Sequence, residues 1–229
     1  MATHLITGAG SGIGGVLGDR LVERGDELWL IARDETRAAQ FTERFPGARI
    51  LVADLSDPGG LASALGAQEL PDRLDSLLHV AGIVELGRIA ETPVAAWQQQ
   101  LDVNAVAPAE LTRILLPALR AGRGHVVFVN SGAGRRVHPG WGSYAASKFA
   151  VRAIADALRE EERANGVRVT TVYPGRTATP MQEKVHRQEG AEYDASQWMR
   201  PASVVTTILT ALDLPRDAEI TELMVRPGV

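Results

Sequence analysis

Short apolar runs separated by longer amphipathic stretches recur along this whole chain, and no other property of the sequence restricts its fold as tightly. Runs such as LWLIA at 28–32 and HVVFV at 125–129 are apolar at nearly every residue. That pattern fits strands covered on both faces, not strands with one face in water. Strands are predicted at 4–7, 27–32, 49–53, 76–81, 125–130, 168–173 and 221–226. Helical stretches are predicted between them, at 12–24, 35–44, 58–66, 93–120, 143–164 and 201–212. Strands alternating with helices give parallel pairing through right-handed crossovers. The expected fold class is α/β: a doubly wound, mostly parallel seven-stranded sheet with helices on both faces.

No repeat, low-complexity tract or Pro/Gly/Ser linker divides the 229 residues, so residues 1–229 read as a single domain. One stretch, 175–199, is long, polar and irregular, with Met181, Tyr193, Trp198 and Met199 scattered through it. Loops of that length in compact domains are commonly functional, and it is read as a substrate lid. A net charge of -4 with arginines scattered among acids offers no clustered basic face for nucleic acid. The absence of cysteine rules out disulfides and thiolate metal sites, and the five histidines lack H-x-x-x-H spacing, so no metal site is expected. Neither a signal-peptide pattern nor an apolar run near the ~18 residues of a membrane span is present, so a soluble, cytoplasmic protein is expected.

Two stretches carry chemistry. TGAGSGIGG, residues 7–15, closes the first strand and opens the first helix. Glycines at 8, 12 and 14 permit a tight turn and close backbone approach, and the helix start beyond them offers N–H groups and a positive dipole end to a phosphate. GSYAASKFA, residues 142–150, sets Lys148 four residues after Tyr144, in a chain with two lysines and 22 arginines. Positions i and i+4 share a helix face. An ammonium there is expected to stabilise phenolate and lower the tyrosine pKa, which suits acid/base work near neutral pH. The plain alternative is an exposed pair with no function. Ser131 ends the fifth strand, and strand C-termini are where doubly wound sheets bind ligands.

The spacing T-G-x-x-x-G-x-G, together with Y-x-x-x-K at 144–148, resembles the short-chain dehydrogenase/reductase family. Further features fall in the family's order: ADL at 53–55, AG at 81–82, Asn104 in LDVNAVAP, Ser131, and YPG at 173–175. The resemblance implies an NADP(H)-dependent oxidoreductase interconverting a carbonyl and a secondary alcohol. In that reading Ser131 orients the carbonyl and Tyr144 is the general acid/base. Lys148 tunes Tyr144 and holds the nicotinamide ribose, and Asn104 helps hold a water linking Lys148 to solvent. Gly8, Ser11, Gly12, Ile13, Gly14, Asp54, Leu55, Ala81, Gly82, Pro174, Gly175, Thr177 and Thr179 are the implied cofactor contacts, with Tyr144 and Lys148.

Cofactor choice rests on LIARDE at 30–35, where a family acid would bind the ribose 2′-hydroxyl of NAD. Ala32 and Arg33 stand there, and a guanidinium pairs well with a 2′-phosphate. NADP(H) is expected. NAD(H) is the alternative, because Asp34 is close by and Ser11 stands where many NADP-specific members have a second basic residue. Asp54 is read as an adenine contact, with helix capping as its alternative. The family's N-N-A-G is HVAG here, at 79–82, and His79 is read as a strand residue. The substrate pocket is expected between the 82–92 loop, the 132–142 loop and the lid, with Trp141, Met181, Trp198 and Met199 making it apolar. Arg135 and Arg136 either attract an anionic substrate or belong to a solvated loop. Ala146, Ala150, Ala153 and Ala157 form a small-residue stripe, and relatives use this helix and the 104–120 helix to associate, so a homodimer or homotetramer is expected. The rival readings are a non-catalytic NADP(H)-binding regulator and an NAD-preferring dehydrogenase of the same family.

Overall fold

The computed structural model describes residues 1–228. Seven strands form one sheet: β1 (Thr3–Thr7), β2 (Glu27–Ala32), β3 (Arg49–Val52), β4 (Ser76–His79), β5 (His125–Val129), β6 (Arg168–Pro174) and β7 (Glu222–Val225). The spatial order is β3-β2-β1-β4-β5-β6-β7, and every pairing is parallel. The chain starts at the centre, builds one edge, then returns to build the other. Strand order therefore reverses between β1 and β4, and a crevice opens there at the strands' C-terminal ends.

Eight α-helices cover the sheet: α1 (Gly12–Glu23), α2 (Glu35–Arg44), α3 (Leu61–Gly66), α4 (Val94–Leu101), α5 (Ala107–Gly122), α6 (Gly142–Glu162), α7 (Pro180–Glu189) and α8 (Pro201–Leu212). Side chains alternate across a strand, so neighbours on one strand enter different cores. Leu5, Ile31, Leu77 and Val126 pack against Leu61 of α3, Leu111 and Leu115 of α5 and Val151 of α6. Ile6, Leu30, Leu78 and Val127 pack against Leu17 and Leu21 of α1, Phe41 of α2 and Ile208 of α8. That is why the strand runs are apolar without alternation. No helix among the described residues is long and apolar enough to cross a membrane.

The helix predicted over 58–66 begins as a 3-10 turn at Pro58–Gly60 before α3, and three other stretches differ more from the sequence-based expectation. The single helix predicted over 93–120 is α4 and α5 joined by a widened π turn at Asp102–Val106. The irregular 175–199 stretch contains α7 and a short 3-10 turn at Ala195–Gln197. Thr179 caps α7 by accepting from the Gln182 N–H at 3.2 Å, Pro180 fits its first turn, and Gly190 ends it at φ 70°. Its polar composition hid it, because only a narrow face meets the protein. Finally, β4 stops at His79, not 81, because the N–H groups of Val80 and Ala81 both donate to Thr7 Oγ1 at 3.1 Å.

Candidate active site

A cleft of about 1080 Å³ lies across the C-terminal ends of β1, β4, β5 and β6. Gly8, Ser11, Gly12, Ile13 and Gly14 line one part of it. Their packing leaves no room for side chains at two positions. A Cβ on Gly14 would stand 2.2 Å from the Gly8 carbonyl oxygen, and one on Gly8 (φ +76°) would stand 2.7 Å from Ala81 N. Ser11 is the N-terminal cap of α1 but makes no side-chain capping bond, so the first N–H groups of α1 open towards the cleft.

Arg33, Asp54 and Leu55 line the cleft beyond that loop. Asp34 does not: its carboxylate caps α2 by accepting from the Arg37 N–H at 2.7 Å, and it accepts from Arg33 Nε at 2.8 Å. The Arg37 N–H and the Arg33 guanidinium hold its carboxyl below the ordinary aspartate range. Asp54 Oδ1 accepts from the Ser56 N–H, while Asp57 caps the following 3-10 turn. Sequence reasoning missed Arg37, which also lines the cleft and makes no ion pair with any acid among the described residues. A signal was there: an arginine in the first turn of a helix opposes the dipole and calls for an anion nearby.

At the other end, Tyr144 and Lys148 project from the start of α6, and Ser131 follows β5. All three line the cleft. The Ser131 hydroxyl accepts from the Ala133 N–H at 3.1 Å and lies close enough to the Tyr144 phenol to favour its ionised form. Lys148 Nζ lies 5.8 Å from the Tyr144 ring centre and donates to the Val129 carbonyl at 3.3 Å. Burial pushes the Tyr144 pKa up to about 12, with the nearby Ser131 hydroxyl opposing it, and pushes Lys148 down to about 8. The expected lowering of the tyrosine is therefore reversed in the free protein. The loss of hydration around the phenol outweighs an ammonium that contacts a carbonyl rather than the phenol.

Asn104 stands behind the cleft wall in the π turn. Its Oδ1 accepts from the Ile83 N–H at 2.8 Å, and its Nδ2 donates to the Ile83 carbonyl and to Ser147 Oγ, both at 2.9 Å. Ser147 in turn donates to the Tyr144 carbonyl. Asn130 fixes Ser131 in place, accepting from the Ser131 N–H and donating to the Lys148 carbonyl. Gln100 ties the Glu85 backbone to Ser143. None of Asn130, Ser147 and Gln100 is a defining position of a motif, since each holds a group of another segment that only the fold brings near. Thr7 thus ties down Val80 and Ala81 of the HVAG segment, and Asn104 ties down Ile83 just after it, without the family's asparagines. His79 is buried, stacked 4.9 Å from Phe128 and bonded to Thr112 Oγ1, with its pKa pushed down to about 3 by burial.

Ala81, Gly82, Pro174, Gly175, Thr177 and Thr179 all line the cleft between these ends. The Thr177 hydroxyl is not free, as it donates to the Gly175 carbonyl. Trp141 and Met181 line the substrate side as expected, but Trp198 and Met199 do not. Met199 is buried in the core beneath α8, and Trp198 lies under Arg176, because the chain turns back to the sheet after α7. Nor do Arg135 and Arg136 reach the cleft: Arg135 pairs with Glu222 at 2.6 Å and lies over the Tyr173 ring.

Residues 2–190 match the short chain dehydrogenase family. The chain is 33% identical over 235 residues to glycine betaine reductase from Emericella nidulans, covering 97% of this chain and 18% of that much longer protein. It is 32% identical to dehydrogenase/reductase SDR family member 7B from Xenopus laevis, over 92% of this chain and 71% of that one. A crystal structure of a short-chain dehydrogenase from Escherichia coli, complexed with NADPH, superposes with a TM-score of 0.85 at 28% identity, covering 99% of this chain and 97% of that one. The chain belongs to the short-chain dehydrogenase/reductase family of oxidoreductases.

Proposed function

We propose that this protein reduces a carbonyl compound to an alcohol with NADPH, and runs the reverse oxidation when the concentrations favour it. The observation that carries this reading is the convergence of Ser131 with Tyr144 and Lys148, which lie one turn apart along α6, on the far end of a cleft that begins at a phosphate-accepting helix start. The cleft fits NADP(H). The α1 N-terminus and the side-chain-free surface at Gly8 and Gly14 would hold the diphosphate, Arg33 and Arg37 the 2′-phosphate, Asp54 and Leu55 the adenine, and Lys148 the nicotinamide ribose. The structural relative from Escherichia coli supports this choice, being a complex with NADPH.

When bound, NADPH supplies the hydride. The chain's own residues handle the oxygen and its proton. The Ser131 hydroxyl donates to the carbonyl oxygen and polarises the carbon. Tyr144, a protonated phenol at neutral pH with its pKa near 12, gives that oxygen a proton as charge develops on it. Lys148, charged below about pH 8, stabilises the phenolate left behind. Asn104 holds the Ile83 backbone and Ser147 behind this pair and keeps α6 in register with the cleft wall. The exposed face of α6, with Ala146, Ala153, Ala157 and Phe149, is the surface proposed to pair copies of the chain into a homodimer or homotetramer; Ala150 of the predicted stripe packs against the core instead.

The test is NADPH oxidation with a panel of aldehydes and ketones, comparing wild type with Tyr144→Phe. Removing the acid is expected to lower kcat by about 10²–10⁴-fold while NADPH binding persists. Equal rates in both proteins sink the mechanism. Tight NADPH binding by a wild type that turns over none of the panel identifies a regulator instead.

A further inference from the structure

The substrate end of the cleft is apolar where it meets Tyr144. Val84, Ala133, Trp141, Met181 and Val185 line it and pack around the tyrosine, with the Trp141 ring edge-on at 5.8 Å. Met181, Val185 and Glu189 recur every fourth residue along α7, so one helix face brings all three towards the cleft. Glu189 lies one turn beyond Val185 and meets Arg176, the residue after the Gly175 turn. The two Nη atoms of Arg176 donate to the two carboxylate oxygens of Glu189 at 2.9 and 2.8 Å, a closed bidentate pair. Arg176 also lies over the Trp198 ring at 5.4 Å, so its position does not depend on Glu189 alone.

Resting on the carbonyl-reductase reading above, we propose that the Arg176–Glu189 pair makes this cleft select a carbonyl compound that is neutral and apolar beyond its reacting group. The other lysine and arginines lining the cleft do not serve this end. Lys148 donates to the Val129 carbonyl behind the tyrosine, and Arg33 and Arg37 belong to the opposite end. His138 stands on the exposed rim. A carboxylate on the substrate finds Arg176 already paired and meets the negative charge of Glu189. To bind Arg176 it must displace a partner of equal charge and leave that partner's carboxylate only partly hydrated. An alkyl or aryl group has no such cost and gains from leaving water against the apolar wall. Glu189 is thus a specificity residue: taking away its charge turns Arg176 into a carboxylate receptor.

The experiment compares benzaldehyde with its para-carboxylate, and a methyl alkyl ketone with the keto acid of the same length. Two readouts are taken: NADPH oxidation, and binding to the NADPH-loaded protein followed by quenching of bound NADPH fluorescence. Wild type is expected to favour the neutral member of each pair by about tenfold or more, a difference of ~1.4 kcal/mol. Glu189→Gln is expected to narrow that preference by about tenfold, mainly through KM of the carboxylate. Replacing both residues, Arg176→Leu with Glu189→Leu, is expected to remove the gain. Wild type that binds both members equally, or prefers the carboxylate, overturns the proposal. So does a folded Glu189→Gln with an unchanged ratio. Should that variant fail to fold, the wild-type binding ratio alone still decides. Neutral aldehyde bound tightly but never reduced would leave charge selection standing and remove the reductase reading instead.

Discussion

Arg37 is the third residue of α2, where the helix dipole disfavours a cation, yet its guanidinium lies near Gly10 at the cleft and pairs with no acid among the described residues. Arg33, which lines the same cleft, is largely exposed and paired with Asp34. The two are expected to act together on the 2′-phosphate. Arg37→Ala should weaken NADPH binding by about tenfold and leave NADH binding unchanged, as measured by calorimetric titration. The figure comes from the low end of the ~1.5–3 kcal/mol of a charged hydrogen bond, because the site is open to solvent. Equal weakening for both cofactors would show that Arg37 only supports the fold. Tyr144 teaches a related point. Sequence spacing puts a lysine beside it, but only the folded surroundings show that burial sets its pKa first and that the lysine's hydrogen bond goes to the Val129 carbonyl.

At the scale of elements, the π turn between α4 and α5 has the largest effect on the site. Widening one turn puts Asn104 where both polar ends of its amide are used, on the Ile83 N–H and carbonyl and on Ser147. Asn104→Ala strands those buried groups. It is expected to cost about 1–3 kcal/mol, read from urea unfolding, and to lower kcat as α6 loses its registration with the wall. A variant as stable as wild type would mean that water replaces the amide at no cost. Apolar periodicity showed a helix over 93–120 but could not show the π turn, since one extra residue in a turn barely shifts the apolar pattern. The helix α7, inside the stretch read as a lid, was illegible for a different reason. Apart from Met181 and Val185 against Tyr144, α7 is held by ends and edges: Thr179 at its start, Lys184 and Gln188 to Glu85, and Glu189 to Arg176. None of these contacts leaves an apolar stripe in the sequence.

Across the whole molecule, histidines buried in the sheet tie stability to pH. Burial holds His79 and His125 at pKa values of about 3, against 6.5 when exposed. Below pH 6.5 the unfolded chain takes up protons that the folded chain refuses, so stability falls as pH drops and continues to fall towards pH 3. Each histidine is expected to remove about 2 kcal/mol between neutrality and pH 5. Urea midpoints measured over that range check the slope, and His79→Leu should make it shallower. An unchanged midpoint down to pH 5 would mean that these rings are hydrated or paired in the folded protein.

The sequence alone determined the sheet, its parallel pairing, the glycine loop and the Ser131, Tyr144 and Lys148 set. Each is written in local spacing: period and run length for strands, steric need for glycines, a single helical turn for the pair. Only the tertiary structure decided which charges are free. It gave Asp34 to a helix cap, Arg135 to Glu222, Arg176 to Glu189, and left Arg37 without an acidic partner among the described residues. Ion pairs and desolvation depend on which groups lie within a few ångströms across the fold, and that distance is not a property of any local stretch of chain.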